Sequence, residues 1–320
     1  MKGLTDIEGV LVGHATHPDA LTGCTVMLFE QGAAAGVDVR GSATGSQEMD
    51  LLSPLHLTAR IHGLVFSGGS AYGLETASGV RRFLEKKGVG FSTGPGLIVP
   101  LVPCAIIYDL GVAKRGVRPG REMGEAAAAA ASGAAVPEGC VGAGAGATVG
   151  KLFGLARAMK SGIGSFTVAL DGPYATVRVS ALAAVNAFGD VRDPVSGRLV
   201  AGARAGERSR ALADSARHLK AGARAGAIGE NTTLVAVATN ARLTKVQATK
   251  LAQLAQAGLA RALSPPWTIY DGDLVVALST GTATADTTAL GVAAAEATAQ
   301  AILRAVQLAH TTAGIPGLAG

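Results

Sequence analysis

Short runs of β-forming residues alternate along this chain with long alanine-rich stretches. That alternation restricts it to a layered α/β architecture, with strands and helices in separate layers. The runs are Leu11-Val12, Thr25 to Phe29, Gly63 to Phe66, Thr167 to Leu170, Thr176 to Val179, Leu234 to Ala238 and Leu274 to Leu278. The last two are apolar at every position, as suits a buried strand. Two helices stand out. Thr244 as N-cap with Gln247 three residues on gives the capping-box spacing, and Leu251, Leu254, Gly258 and Leu259 then trace one face until Pro265-Pro266 stops the helix. The other is predicted from near Thr287 to His310, its stripe marked by Leu290, Ala294, Ala297, Ala301 and Ala305 and broadened by Ile302 and Val306.

Nearly half of the 320 residues are apolar (48%), yet only 4% are aromatic, so alanine and glycine do the packing and helices and sheets are expected to approach closely. One domain spanning residues 1–320 is expected. The net charge of +5 is modest, and the basic residues are scattered without interleaved aromatics, so nucleic acid is not an expected partner. The densest basic part, Arg198 to Arg224, reads as a solvated helix or exposed loop or, less directly, an interaction tail. Cys24, Cys104 and Cys140 are odd in number and widely separated, which predicts reduced thiols and no zinc site. Met1 to Val10 carries Asp6 and Glu8 where a secretory signal needs an apolar core. No uninterrupted apolar run approaches a membrane span, so a soluble cytoplasmic protein is expected.

Two glycine-rich stretches invite a nucleotide reading and fail it. Gly146 to Lys151 is one residue short of a P-loop and is followed by Leu152, and Gly142-Ala143-Gly144 lacks both the preceding strand and the downstream acid of a dinucleotide fingerprint. Ser67-Gly68-Gly69-Ser70 lacks the glycine that a nucleophile elbow needs two residues after its serine; Tyr72 stands there. No cofactor is predicted.

The chemistry concentrates in the last third. Asn231-Thr232-Thr233 opens one apolar run and Asp271-Gly272-Asp273 opens another. A threonine whose nitrogen is tied in a peptide bond is a poor nucleophile, because an amide cannot accept a proton at neutral pH. If the Asn231–Thr232 bond is cut, the freed α-amine, with a pKa of roughly 7.7–8.0, becomes a general base beside its own hydroxyl. Gly229-Glu230-Asn231 reads as a flexible, polar lead-in to that junction. The same residues also suit a turn that begins a strand, and they match the N-glycosylation pattern, which carries little meaning without a secretory signal. Asp271 and Asp273, one glycine apart, can bring two carboxylates to one side of a turn; they equally suit an ordinary turn, and no histidine cluster supports a metal there.

Further blocks align with this reading: Gly3 to Ile7, Val12-Gly13-His14, Thr22 to Val26, Gly68 to Leu74, Ile107 to Leu110, Gly144 to Lys151 and Val185-Asn186-Ala187. In this order they resemble the N-terminal-nucleophile aminopeptidases that include D-aminopeptidase and β-peptidyl aminopeptidases. The Asn-Thr junction followed by Asp-Gly-Asp is similar to the threonine branch of that group, which includes the nylon-oligomer (6-aminohexanoate-oligomer) hydrolases. The resemblance implies a four-layer αββα sandwich, self-cleaved into residues 1–231 and 232–320, which stay together as an α/β heterodimer and assemble into a higher homo-oligomer such as a tetramer. It implies Thr232 as nucleophile and Lys151 close by, where a second positive charge would depress the amine's pKa. It further implies Asp271 and Asp273 as organisers of Thr232, Asn186 as oxyanion donor and Tyr72 as a substrate-pocket residue. From local sequence alone, Lys151 equally ends a glycine loop in solvent, Asn186 sits in a loop and Tyr72 packs in the core. The implied activity is amide hydrolysis of peptides or amides with a free amine. Endo-hydrolysis of linear ω-amino-acid oligomers is the alternative, followed by acyl transfer of the ornithine-acetyltransferase type and by an inactive binding scaffold.

Overall fold

Strand β2, Thr22–Val39, follows β1, Leu11–His17, and at 18 residues is long enough to belong to two sheets. The computed structural model describes residues 2–224 and 230–320. The first half of β2 pairs antiparallel with β1 on one side and with β3, Ile61–Ser67, on the other, and β3 runs parallel to β4, Cys104–Ile106. Its second half pairs antiparallel with Leu274–Ala283, here β8. Strand β8 lies parallel to β7, Thr232–Ala241; β7 is antiparallel to β6, Arg178–Asn186, which is antiparallel to β5, Ile163–Ala169.

Because successive strand residues point to opposite faces, the apolar runs divide between cores. Leu234, Ala236, Leu274 and Val276 meet Met27, Phe29, Leu64 and Phe66 between the two sheets. Val235, Val237, Val275 and Ala277 face outward onto helices α3, Lys245–Ala262, and α4, Thr287–Gln307. Cys24, Val26, Leu28 and Val65 face the opposite way, onto α1, Thr76–Lys86, and α2, Arg121–Ala129. The result is the expected αββα order. The expected close packing is also present: a Cβ on Gly36 of β2 would lie 2.2 Å from the Thr249 nitrogen of α3, and one on Gly164 of β5 would lie 2.0 Å from the Ala301 carbonyl of α4.

The elements depart from the sequence reading in several places. Of the run Thr176 to Val179 only Arg178 and Val179 are strand; they open β6, which continues to Asn186. Thr244 and Gln247 form the capping box, but α3 ends at Ala262, ahead of the proline pair, and α4 ends at Gln307 rather than near His310. Within the basic stretch, Arg204 is buried and not solvated. Helix α4 is long and apolar enough to cross a membrane, with 72% of its apolar window buried; it packs on β5 and β6 as a core layer.

Candidate active site

Thr232 is the first residue of β7, and the ladders on either side of this strand decide its neighbours. Antiparallel pairing with β6 sets Asn186 opposite Thr232. The parallel pairing with β8, which begins at Leu234 and Leu274, is resumed three residues upstream as an Asn231–Asp271 bridge, and the Gly272 N–H donates to the Asn231 carbonyl at 2.8 Å. The Thr232 hydroxyl donates to that same carbonyl at 2.5 Å. The oxygen of the Asn231–Thr232 peptide thus sits between two donors, one of them the expected nucleophile. Both residues are buried. Of the lead-in, Gly229 lies outside the described residues, while Glu230 is described.

The Asp271-Gly272-Asp273 turn is zipped to the segment after β2: Ala43 N donates to the Asp271 carbonyl at 2.9 Å, and Arg40 N and Gly41 N to the Asp273 carbonyl at 3.1 and 3.0 Å. Glycine is required at 272, since a Cβ there would meet the Thr232 Oγ1 at 2.7 Å and the Ala43 carbonyl at 2.8 Å. The Asp273 carboxylate accepts from Thr233 N at 2.6 Å and Trp267 N at 3.1 Å. Asp271 accepts from Phe188 N at 3.0 Å, Thr268 N at 3.1 Å and the Thr268 hydroxyl at 2.5 Å. Both carboxyls are buried. Burial raises the Asp271 pKa, and burial followed by repulsion from Asp271 pushes Asp273 up to about 8.

Lys151 reaches the cluster because Gly150 turns the chain at φ +73°, where a side chain would lie 1.9 Å from the Ala203 nitrogen. Its ammonium donates to the Asn186 carbonyl (2.9 Å), Asn186 Oδ1 (2.8 Å) and the Glu230 carbonyl (3.3 Å). Burial pulls its pKa down to about 7 against the opposing pull of Asp271 and Glu230. Lys151 is therefore a cation below neutrality and an amine above it. Asn186 Nδ2 donates to the Tyr108 carbonyl at 2.9 Å and the Glu230 carbonyl at 3.1 Å, and its Oδ1 also accepts from Thr148 N at 3.0 Å. The glycine-rich stretch through Lys151, which fails as a nucleotide loop, thus delivers four of these contacts, three from Lys151 and one from Thr148 N.

The structure brings Thr232, Asn231, Asn186, Lys151, Asp271 and Asp273 into one hydrogen-bonded cluster. Tyr72 stands outside that network: its ring is 55% exposed, with the Arg118 guanidinium 3.5 Å above it. Sequence reasoning missed Glu230 and Tyr108, which line a narrow pocket with Lys151 and Thr148, and missed Thr268 and the Gly272 N–H. Tyr108 lies within the Ile107 to Leu110 block, where the resemblance implies no role for it, and Gly272 has no side chain to signal one.

The sequence pattern of peptidase family S58 matches residues 2–319. The chain belongs to this family. Membership makes it a hydrolase of peptide or amide bonds. An uncharacterised aminopeptidase of Mycobacterium tuberculosis is 37% identical, covering 99% of this chain and 96% of its own length. A 6-aminohexanoate-oligomer endohydrolase of Kocuria sp. is 31% identical, covering 94% of this chain and 85% of its own. Among solved structures, the L-aminopeptidase D-Ala-esterase/amidase of Ochrobactrum anthropi, described as a variant of the Ntn hydrolase fold, has a TM-score of 0.74 at 17% identity, over 96% of this chain and 86% of that one. A Burkholderia sp. β-aminopeptidase gives 0.71 at 22% identity, over 99% and 90%. These two likenesses establish the fold as that of N-terminal-nucleophile hydrolases.

Proposed function

We propose that this S58 hydrolase cuts its own chain between Asn231 and Thr232 and that the freed threonine then hydrolyses amides with a free amine through an acyl-enzyme. The observation that carries the reading is the Asn231 carbonyl, held by the Gly272 N–H at 2.8 Å and touched by the Thr232 hydroxyl at 2.5 Å.

In the first stage Thr232 Oγ1 bonds to the Asn231 carbonyl carbon, and the carbonyl π pair moves onto oxygen, where the Gly272 N–H stabilises it. A carboxylate of the Asp271/Asp273 pair takes the hydroxyl proton, since the Thr232 nitrogen is still an amide. Collapse breaks the C–N bond, the nitrogen receives that proton, and water hydrolyses the resulting ester to an Asn231 carboxylate and a free Thr232 amine. Removing one oxyanion donor typically costs about 10²–10³ in rate.

In turnover the amine takes the hydroxyl proton as Oγ1 attacks the substrate carbonyl, and passes it to the departing amine; water then deacylates the enzyme. Once Glu230 moves away, one Asn186 Nδ2–H is free to donate a hydrogen bond to the new oxyanion, and Lys151 in its charged form lowers the Thr232 amine's pKa. Exposed Tyr72, outside the catalytic network, keeps in this proposal the substrate-binding role that the resemblance implies. The location proposed is cytoplasmic, consistent with three free cysteines. The cut pieces, residues 1–231 and 232–320, stay together as one domain, and association into a homo-oligomer such as a tetramer is part of the same proposal.

Endo-hydrolysis of linear 6-aminohexanoate oligomers is the second reading, favoured by the threonine nucleophile and by the Kocuria relative's activity. Amino-acid nitroanilides assayed beside such oligomers separate the two. Turnover of nitroanilides with a free amine, abolished by Thr232→Ala, supports the first reading; turnover confined to oligomers supports the second; turnover of either by the Thr232→Ala chain contradicts both.

A further inference from the structure

A pocket of about 650 Å³ contains none of the residues around Thr232. It opens between residues 199–212 and the C-terminal segment, and its walls join Met159, Leu212 and Leu318 to Arg204, Arg208 and Arg210. This is the basic stretch that the chemistry at Thr232 leaves unused.

Arg204 is 7% exposed. Its guanidinium donates to the carbonyls of Ala156 (2.7 Å), Ala158 (3.4 Å) and Glu207. A guanidinium carries five N–H donors, so three carbonyl partners leave capacity, and carbonyls do not neutralise its charge. None of the ion pairs among the described residues includes Arg204, Arg208 or Arg210. Arg208 and Arg210 are exposed and make no side-chain hydrogen bond among the described residues. No aspartate or glutamate lines the pocket, and Gly320 on its rim, whose oxygen accepts from the Thr311 N–H at 2.8 Å, forms no ion pair with the three arginines.

A buried cation without a counter-ion is costly, and a planar guanidinium favours forked pairing with a carboxylate. The volume falls in the range of about 300–1,000 Å³ usual for small-molecule sites, and Met159, Leu212 and Leu318 add apolar lining to the charges. We infer that this pocket binds an organic carboxylate carrying an apolar chain, with Arg208 and Arg210 drawing in the head group and Arg204 at the wall behind it. The inference is independent of the self-cleavage reading.

Calorimetric titration of the purified protein with octanoate tests it, with octanamide and inorganic phosphate as comparison probes. The expected result is saturable binding of octanoate at one per chain, weakened by salt, with octanamide and phosphate each binding at least about tenfold more weakly. Arg208→Ala with Arg210→Ala, both on the exposed rim, is expected to weaken octanoate about tenfold while leaving hydrolysis at Thr232 unchanged. Equal binding of octanamide, no saturable octanoate binding, or affinity untouched by the double substitution overturns the proposal. So does a fall in oligomeric state on that substitution, measured by sedimentation, because the pocket would then be an interface between copies of this chain.

Discussion

Two residues of the cluster titrate in opposite senses. Buried Asp273, raised from its ordinary 3.8 to about 8, keeps a proton in the folded chain that the unfolded chain gives up. Its contribution to stability is therefore present below about 4 and lost as the pH climbs towards about 8. In the uncut Thr232→Ala background, adding Asp273→Asn is expected to flatten this dependence. The stability difference between the two chains, from urea midpoints across that window, should change by up to about 1.4 kcal/mol per pH unit; a pH-independent difference would contradict the assignment. Lys151, pulled down to about 7, is charged on the acid side of neutrality, where the proposal has it depress the Thr232 amine freed by cleavage. Lys151→Met is expected to move the acid limb of the kcat/KM profile to higher pH, read from pH-rate curves on fully cleaved enzyme. At this scale the sequence was partly legible. Asn231, Thr232 and the two aspartates stood out because their chemistry is carried by side chains. The Gly272 N–H and the Glu230 carbonyl did not, because a main-chain group has no signature in a sequence.

Elements position these groups through register, and register depends on packing. Gly164 of β5 lies against the Ala301 carbonyl of α4, where an added Cβ would be 2.0 Å away. Gly164→Ala is expected to force helix and sheet apart and to cost about 1–3 kcal/mol in a denaturation experiment. Loss of the Thr244 cap, which accepts from Gln247 N at 3.2 Å, is expected to cost about 1 kcal/mol in Thr244→Ala. The cap and the apolar runs of β7 and β8 were readable because their signals are local. Two ends were misread: the Pro265-Pro266 pair suggested a helix stop, but the chain leaves α3 at Ala262 to form a short strand at Leu263–Ser264, and then supplies the Trp267 and Thr268 donors to the aspartates. β6 was shortened in the reading because Ser180 and Asn186 interrupt its apolar pattern, although the strand buries both between neighbours.

For the whole molecule, the proposed cut would have a defined consequence. After scission at Asn231/Thr232, β7 remains paired with β6 and β8 with β2, so residues 232–320 are hydrogen-bonded to the first fragment along both edges and share its cores. The layer order could be anticipated from alternating strands and helices, whereas the meeting of Lys151, Asn186 and Thr232 could not be obtained from spacing, because the sheet order that joins them is non-local. The pairing that brings Asn186 opposite Thr232 and Gly272 onto the Asn231 carbonyl is the step on which the catalytic account rests. Mass spectrometry of the purified, active protein under denaturing conditions tests that account most directly. Two fragments, ending at Asn231 and beginning at Thr232, are the predicted result; a fully active chain that remains intact, or a new terminus at any other position, would contradict it.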